Sequence, residues 1–202
     1  MKEAFEETIR RFISRDLSPA VQSLDEYQPD AQKKKVILSD MAKIGVVHMP
    51  FPESLGGIGF DLSALGRALE ILAECCAGTS MLLWSHYSAL IPFLLSAGGG
   101  EVIRKLSEEK EALLGTGYIS HNTLEAQKKG TLSTVSGAMS FLWGVPGATY
   151  FAVAAKTPQE GIFAIVPSDA RGVAIQETHK RIGLRCCMSS SVGLKDVPIS
   201  QY

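Results

Sequence analysis

The hydrophobic pattern of this chain changes near residue 112, and that change constrains the fold more than any other feature. Before it, apolar residues recur at helical spacing, as Phe5, Ile9 and Phe12 do in the first segment. After it, short apolar runs alternate with turn residues, which is typical of an antiparallel β-barrel or sandwich. The sequence therefore predicts an α+β protein, with an N-terminal all-α helical bundle at residues 1–112 and a β-barrel domain at residues 113–202.

Five helices are predicted in the first part, at residues 2–16, 30–42, 61–76, 81–97 and 101–109. Asp61 or Ser63 is the expected cap of the third helix, and Thr79 or Ser80 that of the fourth. The fourth helix is apolar on every side, which places it at the centre of the bundle. It carries His86, and a hydrogen-bonded core histidine is much commoner at such a position than a ligand or an acid.

Seven short strands are predicted in the second part, at residues 113–120, 131–136, 138–143, 149–155, 162–166, 173–177 and 190–194. Gly137 is expected to separate the second run from the third, because glycine permits the positive φ of a turn. Phe141 and Trp143 lie two apart, so both side chains point to one face of their strand. Such a pair usually packs in a core, and the alternative is the wall of a site for a flat ligand.

Charge and hydropathy exclude several classes of function. The formal net charge of −1 gives no electrostatic basis for binding nucleic acid. Residues 1–112 hold 12 basic and 16 acidic side chains and residues 113–202 hold 8 and 5, so the second part weakly favours an anionic ligand. The most apolar stretch, residues 81–97, is interrupted by polar side chains and falls short of the about 20 apolar residues of a membrane span.

The four cysteines form two adjacent pairs, Cys75-Cys76 and Cys186-Cys187. Neither pair has the Cys-x-x-Cys spacing of redox or zinc motifs, so no metal site is expected. Their density is also too low for a disulfide framework, which predicts reduced thiols and a cytoplasmic protein. Acidic residues within the first ten positions argue against a secretion signal.

The segment at residues 46–60 is rich in proline and glycine, which forbids regular structure there. Its glycines Gly56, Gly57 and Gly59 do not match Gly-x-Gly-x-x-Gly, and no strand–turn–helix context surrounds them. This argues against a dinucleotide-binding loop. We expect these glycines to serve tight backbone packing.

Five segments, in order along the chain, resemble the acyl-CoA dehydrogenase family. Residues 5–19 look like its opening helix, and residues 45–59 are similar to its Pro-Glu-x-x-Gly-Gly-x-Gly segment. Residues 70–90 match the helices that follow, and residues 136–148 match its Asn-Gly-x-Lys-x-Trp-Ile-Thr-Asn segment. Residues 181–198 match its ending, Lys-Leu-Gly-x-Arg followed by Asp-Val-x-Val-Pro. The order of the five, rather than any one motif, carries the resemblance.

The resemblance implies a flavoprotein that binds FAD and removes two hydrogens from an acyl-CoA thioester. In that family a glutamate takes the α-proton while hydride moves from the β-carbon to flavin N5. A second helical domain after the barrel carries this glutamate and much of the oligomer contact, and it is expected to be missing after Tyr202. We therefore expect no catalytic residue in this chain. The implied partners are an acyl-CoA substrate and either further copies of the chain or a subunit that supplies the missing domain.

The same resemblance implies cofactor-binding positions at Ile119, Ser120, Phe141 and Trp143. The family has Trp where this chain has Phe141, and Thr where it has Trp143. The hydroxyl of that threonine hydrogen-bonds flavin N5. Trp143 lacks the hydroxyl and is bulkier, so the contact would be lost and the ring would fill flavin space. Ser120 keeps the hydroxyl of the family's Thr-Glu-Pro. The Gly-Ser-Asp that contacts substrate is missing, because the connection to Thr131 is short.

Two functions from different classes remain open. The first is an acyl-CoA dehydrogenase-like flavoprotein that is inactive without its C-terminal domain. The second is a non-catalytic, flavin-free homologue that serves as a structural or partner subunit.

Overall fold

The computed structural model describes residues 2–26, 31–109, 112–116, 122–129, 132–145, 147–158 and 161–199. These residues divide into two compact units. The first comprises the described parts of Met1–Trp84, Lys105–Ala112 and Lys180–Cys187. The second comprises the described parts of Ser85–Arg104, Leu113–His179 and Met188–Tyr202. The domain boundary at residue 112 stays a prediction.

The helical part of the described chain contains α1 Lys2–Phe12, α2 Val21–Leu24, α3 Ala31–Lys43, α4 Leu62–Cys75, α5 Ala77–Leu95 and α6 Gly100–Glu108. The apolar stripe of α1 buries Ile9 and Phe12, as its spacing predicts. The chain then continues as a π-helical turn at Ile13–Leu17 instead of a regular helix. Asp61 caps α4, because its side chain accepts a hydrogen bond of 2.9 Å from the Ala64 N–H.

Helix α5 begins earlier than the sequence predicts. Thr79 and Ser80, the expected caps, lie inside its first turn, and both of their N–H groups donate to the Cys76 carbonyl at 3.1 Å. His86 on this helix is fully buried, and its Nδ1 accepts a hydrogen bond of 3.1 Å from the Leu114 N–H. The prediction of a hydrogen-bonded core histidine is confirmed. No helix within the described ranges is long and apolar enough to cross a bilayer.

A curled mixed sheet follows, made in the described residues by β1 Leu114–Gly115, β2 Asn122–Lys129, β3 Leu132–Trp143, β4 Tyr150–Lys156, β5 Gly161–Pro167, β6 Val173–Thr178 and β7 Ser189–Ile199. The strand order is β1-β4-β2-β3-β7-β6, with β5 also paired to β4. Most pairs are antiparallel, and β4 pairs in parallel with β1 and, at one position, with β2. Helices followed by a mainly antiparallel sheet confirm the predicted α+β fold class.

Two details of the predicted strands are wrong. Gly137 does not separate two strands but lies within β3, opposite Leu194 of β7. Strand β2 was not predicted, because its sequence Asn-Thr-Leu-Glu-Ala-Gln-Lys-Lys is too polar to show a strand pattern. Pairing of the whole of β2 with residues 132–139 of β3 stabilises β2 in spite of that composition, as cross-strand neighbours often do.

Two bulges in the β3–β7 pair compensate each other. One extra residue in β7 falls between Leu194 and Val197, where Asp196 has a φ of +48°. One extra residue in β3 falls between Met139 and Leu142, where Phe141 has a φ of +55°. The register at the two ends of the ladder is therefore the same. Met139 and Leu142 are both fully buried although they lie three apart, since a bulge shifts the alternation of faces.

Tight packing of the glycine-rich segment, as expected, is seen at Gly57. A Cβ at Gly57 would lie 2.1 Å from the Phe51 carbonyl oxygen, which is a backbone atom and cannot move aside cheaply. The Gly57 N–H meanwhile donates to the Pro52 carbonyl at 3.1 Å. Backbone packing thus accounts for the glycine at this position without any ligand.

Substituting Gly57→Ala should lower the free energy of unfolding by about 2–3 kcal/mol, because the added methyl group collides with backbone. The matched substitution Gly66→Ala lies in the exposed middle of α4, where a Cβ meets nothing within 4 Å. It should raise the free energy by up to about 1 kcal/mol through helix propensity. Urea unfolding followed by circular dichroism measures both, and equal midpoints would contradict the packing argument.

Candidate functional site

The residues that sequence reasoning assigns to cofactor binding fall in two groups. Ile119 and Ser120 lie outside the described residues. Phe141 and Trp143 lie at the end of β3 in the second compact unit, immediately after its bulge. The geometry of the candidate site therefore rests on this end of β3 and on the residues of the same unit that contact it.

The backbone of Trp143 is held on both sides. Trp143 pairs with Ser189 of β7, and its N–H donates to the Thr116 carbonyl at 2.8 Å. Its carbonyl accepts a hydrogen bond of 3.2 Å from the Ser85 hydroxyl. The side chain is half-buried and its indole nitrogen is shielded from solvent. This end of the strand is thus a fixed structural element.

Helix α5 supplies the groups that hold β1 and β3 together. The Ser85 Oγ donates to the Trp143 carbonyl and also accepts from the Thr116 N–H at 3.1 Å. The adjacent His86 accepts a hydrogen bond from the Leu114 N–H, so two neighbouring residues of α5 bind β1 and the residue that follows it. Buried backbone groups need such partners, and here two polar side chains provide them in place of a regular ladder.

Phe141 turns outward from the bulge and stacks on a histidine. Its side chain is 52% exposed, and its ring centroid lies 4.4 Å from that of His179 at an interplanar angle of 34°. The His179 ring nitrogens lie 3.3 Å from the Ser189 hydroxyl and 3.4 Å from the Ser191 hydroxyl. We call these four residues the Phe141–His179 surface. It combines an accessible aromatic face with an imidazole and two hydroxyl groups.

Sequence reasoning did not identify His179 as part of the site. His179 follows β6 in the chain, whereas Phe141 lies in β3. The two residues come together because β3 and β6 pair with opposite sides of β7. The backbone N–H of His179 donates to the Ser189 carbonyl at 2.8 Å, which places the imidazole beside Phe141. No spacing along the chain carries this information.

The described residues fit one requirement of a flavin and not another. Phe141 offers a partly open ring against which a flat ring system can stack. Trp143 supplies no hydroxyl, and its backbone N–H and carbonyl already form hydrogen bonds with Thr116 and Ser85. A flavin at this surface would therefore be held by stacking on Phe141 and by polar groups other than Trp143.

A separate pocket lies within the first compact unit, between α1 and α4. Its volume is about 180 Å³, and apolar side chains such as Ile9, Met49 and Phe60 line it together with the ion pair Arg67–Glu6 at 3.2 Å. That volume is below the about 300 Å³ at which pockets for cofactors begin. Across the described ranges, no group of three or more His, Cys, Asp or Glu side chains is placed to hold a metal ion.

Comparison with solved structures defines the class of fold. The chain matches an acyl-CoA dehydrogenase complexed with FAD from Bacillus anthracis with a TM-score of 0.83 and 21% identity, over 98% of this chain and 36% of that one. It matches butyryl-CoA dehydrogenase from Megasphaera elsdenii with a TM-score of 0.83 and 19% identity, over 98% of this chain and 56% of that one. Identities this low show the fold alone.

The sequence comparisons identify the family. The family model "Acyl-CoA dehydrogenase, N-terminal domain" matches residues 1–108, more than half of the chain. The chain therefore belongs to the acyl-CoA dehydrogenase family, which confirms the resemblance. It is 27% identical to cyclohexane-1-carbonyl-CoA dehydrogenase of Geobacter metallireducens, over 96% of this chain and 54% of that protein. It is 25% identical to human mitochondrial short-chain specific acyl-CoA dehydrogenase, over 96% and 50%. The chain spans about half the length of the curated relatives it matches.

Removal of the Ser85 hydroxyl tests how the end of β3 is held. Ser85→Ala should lower the free energy of unfolding by about 1–3 kcal/mol, because the Thr116 N–H and the Trp143 carbonyl each lose a partner in a part-buried site. Ser96→Ala is the matched control, since that hydroxyl bonds only the nearby Phe93 carbonyl. Thermal unfolding measures both, and equal losses would refute the assigned role of Ser85.

Proposed function

We propose that this chain forms the N-terminal helical and β parts of an acyl-CoA dehydrogenase-like flavoprotein, which oxidises an acyl-CoA thioester with FAD. The observation that carries the proposal is the Phe141–His179 surface, at the strand position where the resemblance places the flavin wall. The surface offers an exposed aromatic ring, beside an imidazole, on which a flat ring system can stack. Family membership supports the same assignment.

Within this proposal each residue of the surface has a distinct part. Phe141 stacks on the flavin ring, and His179 fixes the angle of the Phe141 side chain from the other side. The hydroxyls of Ser189 and Ser191 set the orientation of the imidazole. The basic excess of residues 113–202, 8 basic against 5 acidic side chains, favours the phosphates of FAD and of coenzyme A.

Bound FAD would supply the redox chemistry, as the acceptor of hydride from the acyl β-carbon. We assign no proton-abstracting carboxylate to residues 1–202. Instead we place that group in another part of the same protein or in a partner subunit, since the curated relatives are about twice as long as the matched segment. The 202-residue chain alone is accordingly inactive as a dehydrogenase.

A second candidate function is a flavin-free subunit that keeps the scaffold and serves a structural or partner role. Trp143 favours this alternative, because it lacks the hydroxyl that the family directs at flavin N5. Its backbone N–H and carbonyl are also bonded within the protein, to Thr116 and Ser85. The two candidates differ in one measurable property, the binding of FAD.

We also propose a cytoplasmic location and self-association. The described cysteines are all free, as in reducing compartments. On α5, Ile91 and Leu95 lie one turn apart and are 37% and 83% exposed. Adjacent apolar side chains of this kind favour burial against a second copy of the chain or a partner subunit.

Titration of FAD into the purified 202-residue chain tests the flavin assignment. Phe141→Ala should weaken binding by about three- to tenfold, because aromatic stacking contributes about 0.5–1.5 kcal/mol. Phe163→Ala is the matched control, since Phe163 is a similarly exposed phenylalanine on β5. This variant should bind FAD as tightly as the parent does. Quenching of flavin fluorescence measures the affinity, and equal affinities of the two variants would exclude the proposed role of Phe141.

The variant Trp143→Thr separates the two candidate functions. It restores a hydroxyl at the position where the family has one, so it should strengthen FAD binding by about tenfold. If the parent binds no FAD and Trp143→Thr does, the flavin-free candidate is supported. The parent then fails to bind because Trp143 blocks the flavin or lacks the threonine hydroxyl. If neither binds FAD, the flavoprotein assignment is wrong for this chain.

Light scattering tests self-association. The parent should have at least twice the mass of the 21.7 kDa chain. Leu95→Gln should shift the distribution towards the monomer, because it places an amide in the apolar contact. Leu62→Gln, at a 71% exposed position of α4, is the matched control and should leave the mass unchanged. A monomeric parent would rule the proposal out.

A further inference from the structure

Two cysteines that are far apart in the sequence meet in the first compact unit. Cys76 immediately precedes α5, and Cys186 lies in the 3-10 turn Arg185–Cys187. Both are buried, with 6% and 3% of their surface exposed. The Cys186 side chain reaches Gly78 and Thr79, the residues just after Cys76, and lies within hydrogen-bonding reach of the Cys76 sulfur. Neither the family resemblance nor the proposed function uses this pair.

The contact is built from several independent features. The Cys186 Sγ also lies 3.5 Å from the Thr79 Oγ1, within the first turn of α5. Cys76 directly precedes the 19-residue helix α5, so its sulfur lies at the N-terminus of that helix, near the backbone of Gly78 and Thr79. Positive partial charge at a helix N-terminus stabilises a thiolate.

Gly78 and Asp25 hold Cys186 at this position. A Cβ at Gly78 would lie 2.8 Å from the Cys186 Cβ, so the close approach requires glycine. The Asp25 carboxylate accepts a hydrogen bond of 3.1 Å from the Cys186 N–H. The Asp25 carbonyl accepts one of 2.7 Å from the Arg185 guanidinium. The second thiol is therefore positioned by the fold and not merely adjacent by chance.

The electrostatics of the pair distinguish Cys76 from its neighbour in sequence. Hydrogen bonds from Cys186, and then from Thr79 and Gly78, lower the pKa of Cys76 to about 6 in spite of its burial. Burial and the adjacent Cys76 raise the pKa of Cys75 instead. The lowered pKa favours the thiolate form at Cys76 rather than at Cys75, and the thiolate is the nucleophilic form of a cysteine.

We propose that Cys76 and Cys186 form a reversible redox site, a dithiol that a small hydroperoxide converts to an intramolecular disulfide. The Cys76 thiolate attacks a peroxide oxygen, the O–O bond breaks, and the released alkoxide or hydroxide takes a proton to leave as alcohol or water. The Cys186 sulfur then attacks the Cys76 sulfenic acid. The S–S bond forms as the S–O bond breaks, and the hydroxyl leaves as water with the Cys186 proton. A dithiol reductant returns both thiols.

The disulfide would join the α4–α5 turn to the segment Lys180–Cys187, and both belong to the first compact unit. The segment contains Ile182, which is 92% exposed, together with Arg181 and Arg185. Oxidation would thus restrict, through one covalent link, a segment that exposes the apolar side chain of Ile182. The inference does not depend on flavin binding.

The test uses the reduced 202-residue chain and hydrogen peroxide. After a timed exposure, the protein is denatured, alkylated and weighed by mass spectrometry. Of the four cysteines, two should escape alkylation, with the loss of two hydrogen atoms and no added oxygen. Because each cysteine has a cysteine neighbour, the double variant Cys75→Ser/Cys187→Ser identifies the linked pair. It should form the same intramolecular disulfide within about twofold of the parent rate.

Two further variants complete the test. Cys76→Ser/Cys186→Ser should consume thiols at least about tenfold more slowly than the parent. Cys186→Ser alone should accumulate a sulfenic acid at Cys76, which dimedone traps. A disulfide within Cys75-Cys76 or Cys186-Cys187, or one between chains, would overturn the proposal. If Cys76→Ser/Cys186→Ser or Cys186→Ser does not fold, fragmentation of the oxidised Cys75→Ser/Cys187→Ser protein still identifies the linked pair.

Discussion

The antiparallel pairing of β3 with β7 is the constraint on which the rest of the sheet depends. Strand β3 pairs with β2 on one side and with β7 on the other, and β7 in turn holds β6. Its two bulges insert one residue in each strand and restore the register at both ends. Between them, buried side chains of both strands stay on the core face, while Phe141 adopts a left-handed conformation that directs its ring outward. The bulge that restores the register of this ladder thus also exposes Phe141 at the candidate site.

The Phe141–His179 surface and the contacts of α5 act on the same strand from different directions. Ser85 and His86 satisfy backbone groups of β1 and β3, so the strand end at Trp143 is rigid before any ligand is considered. The bulge then places the exposed Phe141 ring next to this hydrogen-bonded strand end. A rigid scaffold with one accessible aromatic ring is an arrangement that suits recognition of a flat ligand, because little ordering entropy is lost on binding.

Much of the fold follows from local sequence. Helical spacing identified α1, and the Asp61 side chain marked the start of α4. Of the glycines predicted to serve backbone packing, Gly57 does so, whereas Gly56 and Gly59 are distinguished by a positive φ. Strand β2 was missed because its stability comes from its partner rather than from its own residues. A glycine in a bulged strand and a glycine in a turn look alike in sequence, so the sequence alone predicts a turn at Gly137. The roles of Ile119 and Ser120 stay predictions.

What the sequence determined by itself was the succession of helices and strands, the family and the position of Phe141 and Trp143 on one strand. These depend on periodicity and on motif order, which are properties of residues close together in the chain. Only the tertiary structure decided that His179 stacks on Phe141 and that Cys76 faces Cys186 across more than a hundred residues. Such contacts arise from strand order, from the start of a helix and from a glycine that allows close approach. Their physical cause is packing between distant segments, and no local pattern encodes it.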